Sequence, residues 1–238
     1  MTLGEHLAEL RHRIIVCVIA ISIGGVVMYF LYGHVLHLMT GPYCHIQTTS
    51  VLGGRRCTLF VQDPLDQLTI RLQIAVFGGI ALALPVLLFQ IWRFITPGLN
   101  PNEKRYAVPF VSASIVLFLL GGFVAFETLP LALRFFHAVG GNQISAIYAP
   151  KPYLRLVILL IAAYGIAFEF PVLLVALQLA RVITSARLRK WRRGAIIGVT
   201  VFAAVFTPSS DPVSMFAMAI PMYLFYEGSI IVGRVLKR

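Results

Sequence analysis

Acidic side chains are scarce in this sequence: nine Asp and Glu stand against twenty Lys and Arg, and charged residues of every kind fill only 12% of 238 positions. An ordinary soluble domain carries about twice that share. Catalytic and nucleotide-binding signatures are missing as well. There is no Walker loop, no HExxH and no GxSxG elbow, and the three cysteines include no CxxC pair. These absences exclude the P-loop ATPases, zincins and α/β-hydrolases and leave no reason to expect an enzyme. The six histidines are scattered, with His34, His37 and His45 near one end of the first apolar run, so neither a metal nor another cofactor is expected.

What the sequence has in abundance is apolar surface. At 59% hydrophobic residues, it holds more than one water-soluble core of this length could bury. About 20 apolar residues cross a bilayer as a helix, and such runs recur between short charged segments. The expected fold is therefore an all-α polytopic membrane protein, a single integral membrane domain over 1–238. Residues 1–13 form a cytoplasmic amphipathic segment, and six spans lie at about 14–33, 68–92, 107–130, 154–178, 194–207 and 213–232. The first run, Ile14 to Tyr32, is too long for a cleaved signal core and lacks a small-x-small site, so it is expected to stay as a span. The last two spans are expected to be short, since Gly194 to Phe206 covers only about 20 Å at about 1.5 Å per residue. Pro85, Pro171 and Pro221 fall inside spans and bend them, which points to a curved, concave, glove-like wall.

Charge placement sets orientation. Fourteen of the twenty basic residues lie at the two termini and in the loops near 93–106 and 179–193, which puts both termini in the cytoplasm by the positive-inside rule. Basic residues that sit between apolar runs, without a stripe of interleaved aromatics, do not suggest nucleic acid. On this topology Cys44 and Cys57 share an outside loop, where a disulfide would stabilise by about 3 kcal/mol in the chain-entropy model; two free thiols are the alternative.

Several side chains ask for explanation. Leu3, Leu7, Leu10 and Ile14 repeat at helical spacing, with Glu5, Glu9 and Arg13 between them, so a short amphipathic helix should precede the first span. Glu169 lies deep in the fourth apolar run, where a carboxylate costs about 3 kcal/mol unless it faces a polar concavity or is protonated. Gln90 and Gln178 are its candidate companions. A functional role for Glu169 competes with a purely structural interhelical hydrogen bond, and a proton- or ion-coupled secondary transporter is the rival reading of the chain. Asp211 before Pro212 reads as an N-cap with proline at the first helical position. Glu227 reads as a snorkelling or capped acid, and Gly194 with Gly198 forms one GxxxG.

Four segments together, HLAELRHR, QIWRFITPGLNPNEKR, YGIAFEFPVLL and TPSSDPVSMFAMAIPMYLFYE, run in order over essentially the whole chain. In them the sequence resembles the TatC family, the receptor subunit of the twin-arginine protein translocase. It departs from that pattern by an additional serine at 209 or 210 and by Met215. The resemblance implies a bacterial-type plasma-membrane protein, in a multimer with TatA- and TatB-type single-span subunits. It further implies recognition of twin-arginine signal peptides and export of folded proteins driven by the protonmotive force, with no nucleotide. Carried onto this sequence, it assigns peptide recognition to Glu103 and Phe94 with Glu9 and Arg11. Glu169, with Gln90, would line an intramembrane groove for partner helices.

Overall fold

A helix satisfies its own backbone amides without water, which is what long apolar stretches require in a bilayer, and the described residues contain helices and no strand. A computed structural model describes residues 3–47, 63–95, 107–140, 149–179, 181–208 and 211–235; the side chains of 3–7, 43–47, 94, 95, 107 and 140 fall outside that description. The elements are α1 (Leu3–Phe30), α2 (Tyr32–Gln47), α3 (Pro64–Ile95), α4 (Ala107–Gly140), α5 (Pro150–Phe168), α6 (Phe170–Leu179), α7 (Ser185–Lys190), α8 (Arg192–Phe206) and α9 (Pro212–Val235).

Among the described residues, five stretches are long and apolar enough to cross a membrane: Ala8–Phe30, Pro64–Arg93, Val108–Val139, Pro150–Leu179 and Pro212–Val235. The sixth apolar helix, α8, has 15 residues, about 22 Å of rise, and is short as expected. The expected shortness of the last helix does not hold. Glu227 ends the apolar run but not the helix, which continues to Val235 for 24 residues in all. The amphipathic segment is likewise not a separate helix: α1 runs unbroken from Leu3 to Phe30. Two further extensions were not expected: α2 contains Pro42, and α4 passes through Pro130 to Gly140.

The chain forms two compact units. The first comprises residues 1–41, 59–115 and 149–151, and its main interface is α1 against α3. Glycines let these helices approach backbone to backbone. A Cβ on Gly79 would lie 2.6 Å from the Gly25 amide nitrogen, and one on Gly24 would lie 2.7 Å from the Gly79 carbonyl oxygen. Small residues at a crossing are what membrane helix packing favours, since lipid supplies no hydrophobic drive.

The second unit holds residues 42–58, 116–148 and 152–238. Its core gathers Leu160, Tyr164 and Phe168 of α5 with Val199 and Ala203 of α8 and Met218 and Met222 of α9. Outside the two cores, large apolar side chains are open: Phe30 is 76% exposed, Val108 74% and Val205 71%. In water such a surface would be an association liability; in lipid it is the matched solvent face.

Candidate functional site

In the first unit, Glu9 and Arg13 stand one turn apart on α1 and form an ion pair. Arg13 is buried and also donates through Nη1 to the Gln90 carbonyl oxygen at 3.0 Å. This side-chain-to-backbone bond ties the N-terminal motif to the last turns of α3, one turn before Phe94. Arg11, on the same stretch of α1, is exposed, and Glu9 is half-buried. Trp92 stacks on Phe110 with ring centroids 4.4 Å apart and planes 19° apart. That stack fixes the end of α3 against the start of α4, so both ends of the intervening segment are anchored. Glu103 lies outside the described residues, as does the Phe94 side chain.

In the second unit, Glu169 sits at the junction of α5 and α6 and is half-buried. Pro171 explains the break, because it lacks the amide that would continue the ladder. The Glu169 amide instead donates to the Ile166 carbonyl at 3.1 Å, a tight turn, before the ladder resumes with Leu173 donating to the Glu169 carbonyl at 3.1 Å. Gln178, 1% exposed, donates to the Ser229 carbonyl on α9 at 3.1 Å and to the Leu174 carbonyl at 3.3 Å. Its amide therefore clamps α6 to α9. Gln90 belongs to the first unit and is half-buried, and its backbone oxygen is the acceptor for Arg13.

Asp211 caps α9 as its neighbours imply: its Oδ1 accepts from the Ser214 amide at 2.8 Å, and Pro212 is the first helical residue. Tyr164 reinforces this corner by donating to the Ser214 carbonyl at 2.5 Å. Glu227 is more than a snorkelling acid, since it pairs with Arg192 at 2.5 Å and accepts from the Tyr223 hydroxyl at 3.2 Å. Among the described residues the GxxxG of α8 meets nothing: a Cβ on Gly194 or Gly198 would have none of their atoms within 4 Å. Glycines that do pack include those on α1 and α3, adjacent pairs that a GxxxG search passes over. Cys17 is free, whereas Cys57 and the Cys44 side chain lie outside the described residues.

Sequence reasoning also missed a polar cluster at the other end of the first unit. Asp66, near the start of α3, pairs with Lys151 at 2.8 Å. Arg71 lies over the Tyr29 ring at 4.1 Å and near the Tyr32 ring at 5.5 Å. A surplus of basic over acidic residues hid both, because only the fold selects which acid meets which base.

Membrane-length helices over most of the described residues define a multi-pass helical membrane protein. Residues 5–221 match the family described as Sec-independent protein translocase protein (TatC), and the chain belongs to the TatC family. A relative of that name from Frankia casuarinae is 39% identical over 98% of this chain, which spans 65% of that relative's length. One from Aquifex aeolicus is 37% identical over 100% of this chain and 97% of its own. Two crystal structures of a twin-arginine translocase receptor, TatC, are each 36% identical to it, with TM-scores of 0.77 and 0.78. They cover 98% and 96% of this chain, and 100% and 99% of theirs is matched. The family is a translocase family and not an enzymatic one.

Proposed function

We propose that this chain is the signal-recognising subunit of a twin-arginine translocase. It would act as one integral membrane domain in a bacterial-type plasma membrane with both termini cytoplasmic. Its partners would be TatA- and TatB-type single-span subunits in a multimer, and export of folded proteins would draw on the protonmotive force. The solved relatives are described as twin-arginine translocase receptors, and the family match extends over most of the chain. The observation that carries the reading is the bond from Arg13 to the Gln90 carbonyl. It ties the turn of α1 that carries Glu9 to the last turns of α3, from which Phe94 leads into the segment containing Glu103, while Arg11 is exposed on the same stretch of α1.

The chemistry suits two adjacent arginines. A guanidinium offers paired, coplanar donors that a carboxylate accepts bidentately, so Glu103 and Glu9 discriminate arginine from lysine by geometry. Phe94 adds an apolar or cation–π wall. The basic surroundings repel a peptide that is merely cationic. Glu169 and Gln90 are the intramembrane polar positions offered to partner helices or the inserted signal, and Cys44 with Cys57 would brace the outside loop. In the full chain reconstituted in nanodiscs, Glu103→Arg should weaken a fluorescent twin-arginine peptide at least tenfold. Unchanged affinity would remove Glu103 from the site.

A second reading draws on the break at Glu169, because discontinuous helices expose backbone groups that ion-coupled transporters use. It expects proton flux in liposomes without a precursor, abolished by Glu169→Gln. The receptor reading expects no such flux.

A further inference from the structure

The crossing of α1 and α3 ends in a pocket that the proposed recognition site does not use. Three contacts mark the antiparallel register of the two helices: Arg13 with Gln90, Gly24 with Gly79, and Tyr29 with Arg71. From Arg71 to Gln90, α3 rises about 28 Å at about 1.5 Å per residue, close to the thickness of about 30 Å of a bilayer's hydrocarbon core. That span places Arg71 near one headgroup level and Gln90 near the other.

The pocket beside Arg71 has a volume of about 430 Å³, and Tyr29 of α1, Tyr32 and Leu36 of α2, and Gln67, Leu68 and Arg71 of α3 are in its lining. The lining holds one cation and no carboxylate. Asp66, the nearest acid along α3, is taken by Lys151 at 2.8 Å, and among the described residues Arg71 is in no ion pair. Its guanidinium carbon lies 4.1 Å from the centre of the Tyr29 ring, and Nη2 reaches the Tyr29 carbonyl oxygen only at 3.5 Å. Its Nε is buried and meets no acceptor among the described residues. A ring face offers partial charge, and a bond that long adds little, so most of the five donors of the guanidinium are unspent. Arg71 nevertheless lies inside the membrane-length stretch Pro64–Arg93, where an ionised side chain requires a partner. Leu68, Leu72 and Val76 follow one another at i, i+4, i+8 on α3, and all three are exposed. The pocket therefore adjoins a wall that faces acyl chains.

We propose that this pocket binds the headgroup of an anionic phospholipid. The phosphodiester sits on Arg71, and an acyl chain runs inward from Leu68 along Leu72 and Val76. Charge selects the occupant. Guanidinium donors match phosphate oxygens, whereas the ammonium of a zwitterionic headgroup would find no carboxylate in the lining. Tyrosines such as Tyr29 and Tyr32 are suited to this level of a bilayer, with a ring for the apolar side and a hydroxyl for the polar one.

The sequence has two tryptophans, Trp92 and Trp191, so Leu72→Trp in a chain carrying Trp92→Phe and Trp191→Phe sets a single reporter on this wall, outside the pocket lining. The full chain is reconstituted with acyl-brominated phosphatidylglycerol or acyl-brominated phosphatidylcholine in the same host bilayer. The phosphatidylglycerol, whose one charge is its phosphodiester, should quench the reporter with an apparent association constant at least threefold greater. Arg71→Gln should bring that ratio close to one and leave the phosphatidylcholine constant unchanged. Equal quenching by the two lipids with Arg71 in place, or a preference undiminished by Arg71→Gln, would overturn the proposal. The first of these comparisons needs no change at Arg71 and holds even where Arg71→Gln fails to fold.

Inorganic phosphate and free glycerophosphoglycerol should not relieve the quenching. Relief by either would make the pocket a site for soluble anions and overturn a lipid occupant. Native mass spectrometry of the chain with both tryptophans intact should show phosphatidylglycerol retained over phosphatidylcholine, and equal retention would contradict the proposal.

Discussion

Arg181 has φ 58°, in the left-handed region that side chains with a Cβ disfavour by about 1–2 kcal/mol. The reason is the end of α6. The Arg181 amide donates to the Gln178 carbonyl and the Val182 amide to the Leu177 carbonyl, both at 3.0 Å, the paired bonds of a Schellman ending. Glycine is the residue that suits this position, and a β-branched one suits it least. Arg181→Gly should therefore hold or raise the thermal midpoint in detergent, and Arg181→Val should lower it by a few degrees. The reverse order would show that the Arg181 side chain itself stabilises the turn. Asp211 makes a second single-residue case. Asp211→Ala should cost about 1 kcal/mol through loss of the cap on the Ser214 amide, while Asp211→Asn, which keeps an acceptor, should recover most of it. Equal losses for the two would assign Asp211 a charge-dependent role in place of capping.

Among helices, the α1–α3 crossing is a place where a single methyl group matters. Gly79→Ala places a Cβ against the Gly25 backbone, which cannot rotate away, so the helices must part at a cost of about 1–3 kcal/mol. Gly198→Ala, on the open face of α8, should be neutral or slightly stabilising because alanine is the better helix former. Thermal unfolding of the two variants side by side checks this, and equal behaviour would contradict the packing described. The same comparison shows what could be read from sequence. The Asp211–Pro212 cap and the break near Pro171 are local chemistry, and both were legible. The continuity of α1 was not, because the change from amphipathic to fully apolar pattern at Ile14 looks like a boundary although nothing there stops a helix. Nor was the extent of α9, whose polar last turns lie beyond the apolar run that defines a span. The α1–α3 glycine pairs and the Gln178–Ser229 clamp depend on which helices meet, and that information is not local.

Across the assembled chain, the residues proposed to recognise the peptide divide into two groups. Glu9 and the end of α3 are brought together by Arg13, which bonds to Glu9 and to the Gln90 carbonyl, and Arg11 stands exposed on the same stretch of α1. Glu103 and the Phe94 side chain were identified only through the motif that the sequence shares with its family. The role of Arg13 was not evident beforehand, since at the sequence level it was merely one half of an i,i+4 pair. Arg13→Gln should weaken binding of a twin-arginine peptide severalfold, although Arg13 is here a positioning residue. The loss should fall equally on a twin-lysine control, because the geometry of the whole site is disturbed. Glu103→Gln should instead erase the preference between the two peptides. Identical patterns from the two variants would contradict this division of roles.

The most direct test is photocrosslinking from position 103 or 94 to a twin-arginine signal peptide in the reconstituted full chain, with a twin-lysine peptide as control. Selective crosslinks to the arginine peptide, lost when Glu9 and Glu103 are both replaced by Gln, are the predicted result. Equal labelling of the two peptides, or none from either position, would contradict the recognition site proposed for this chain.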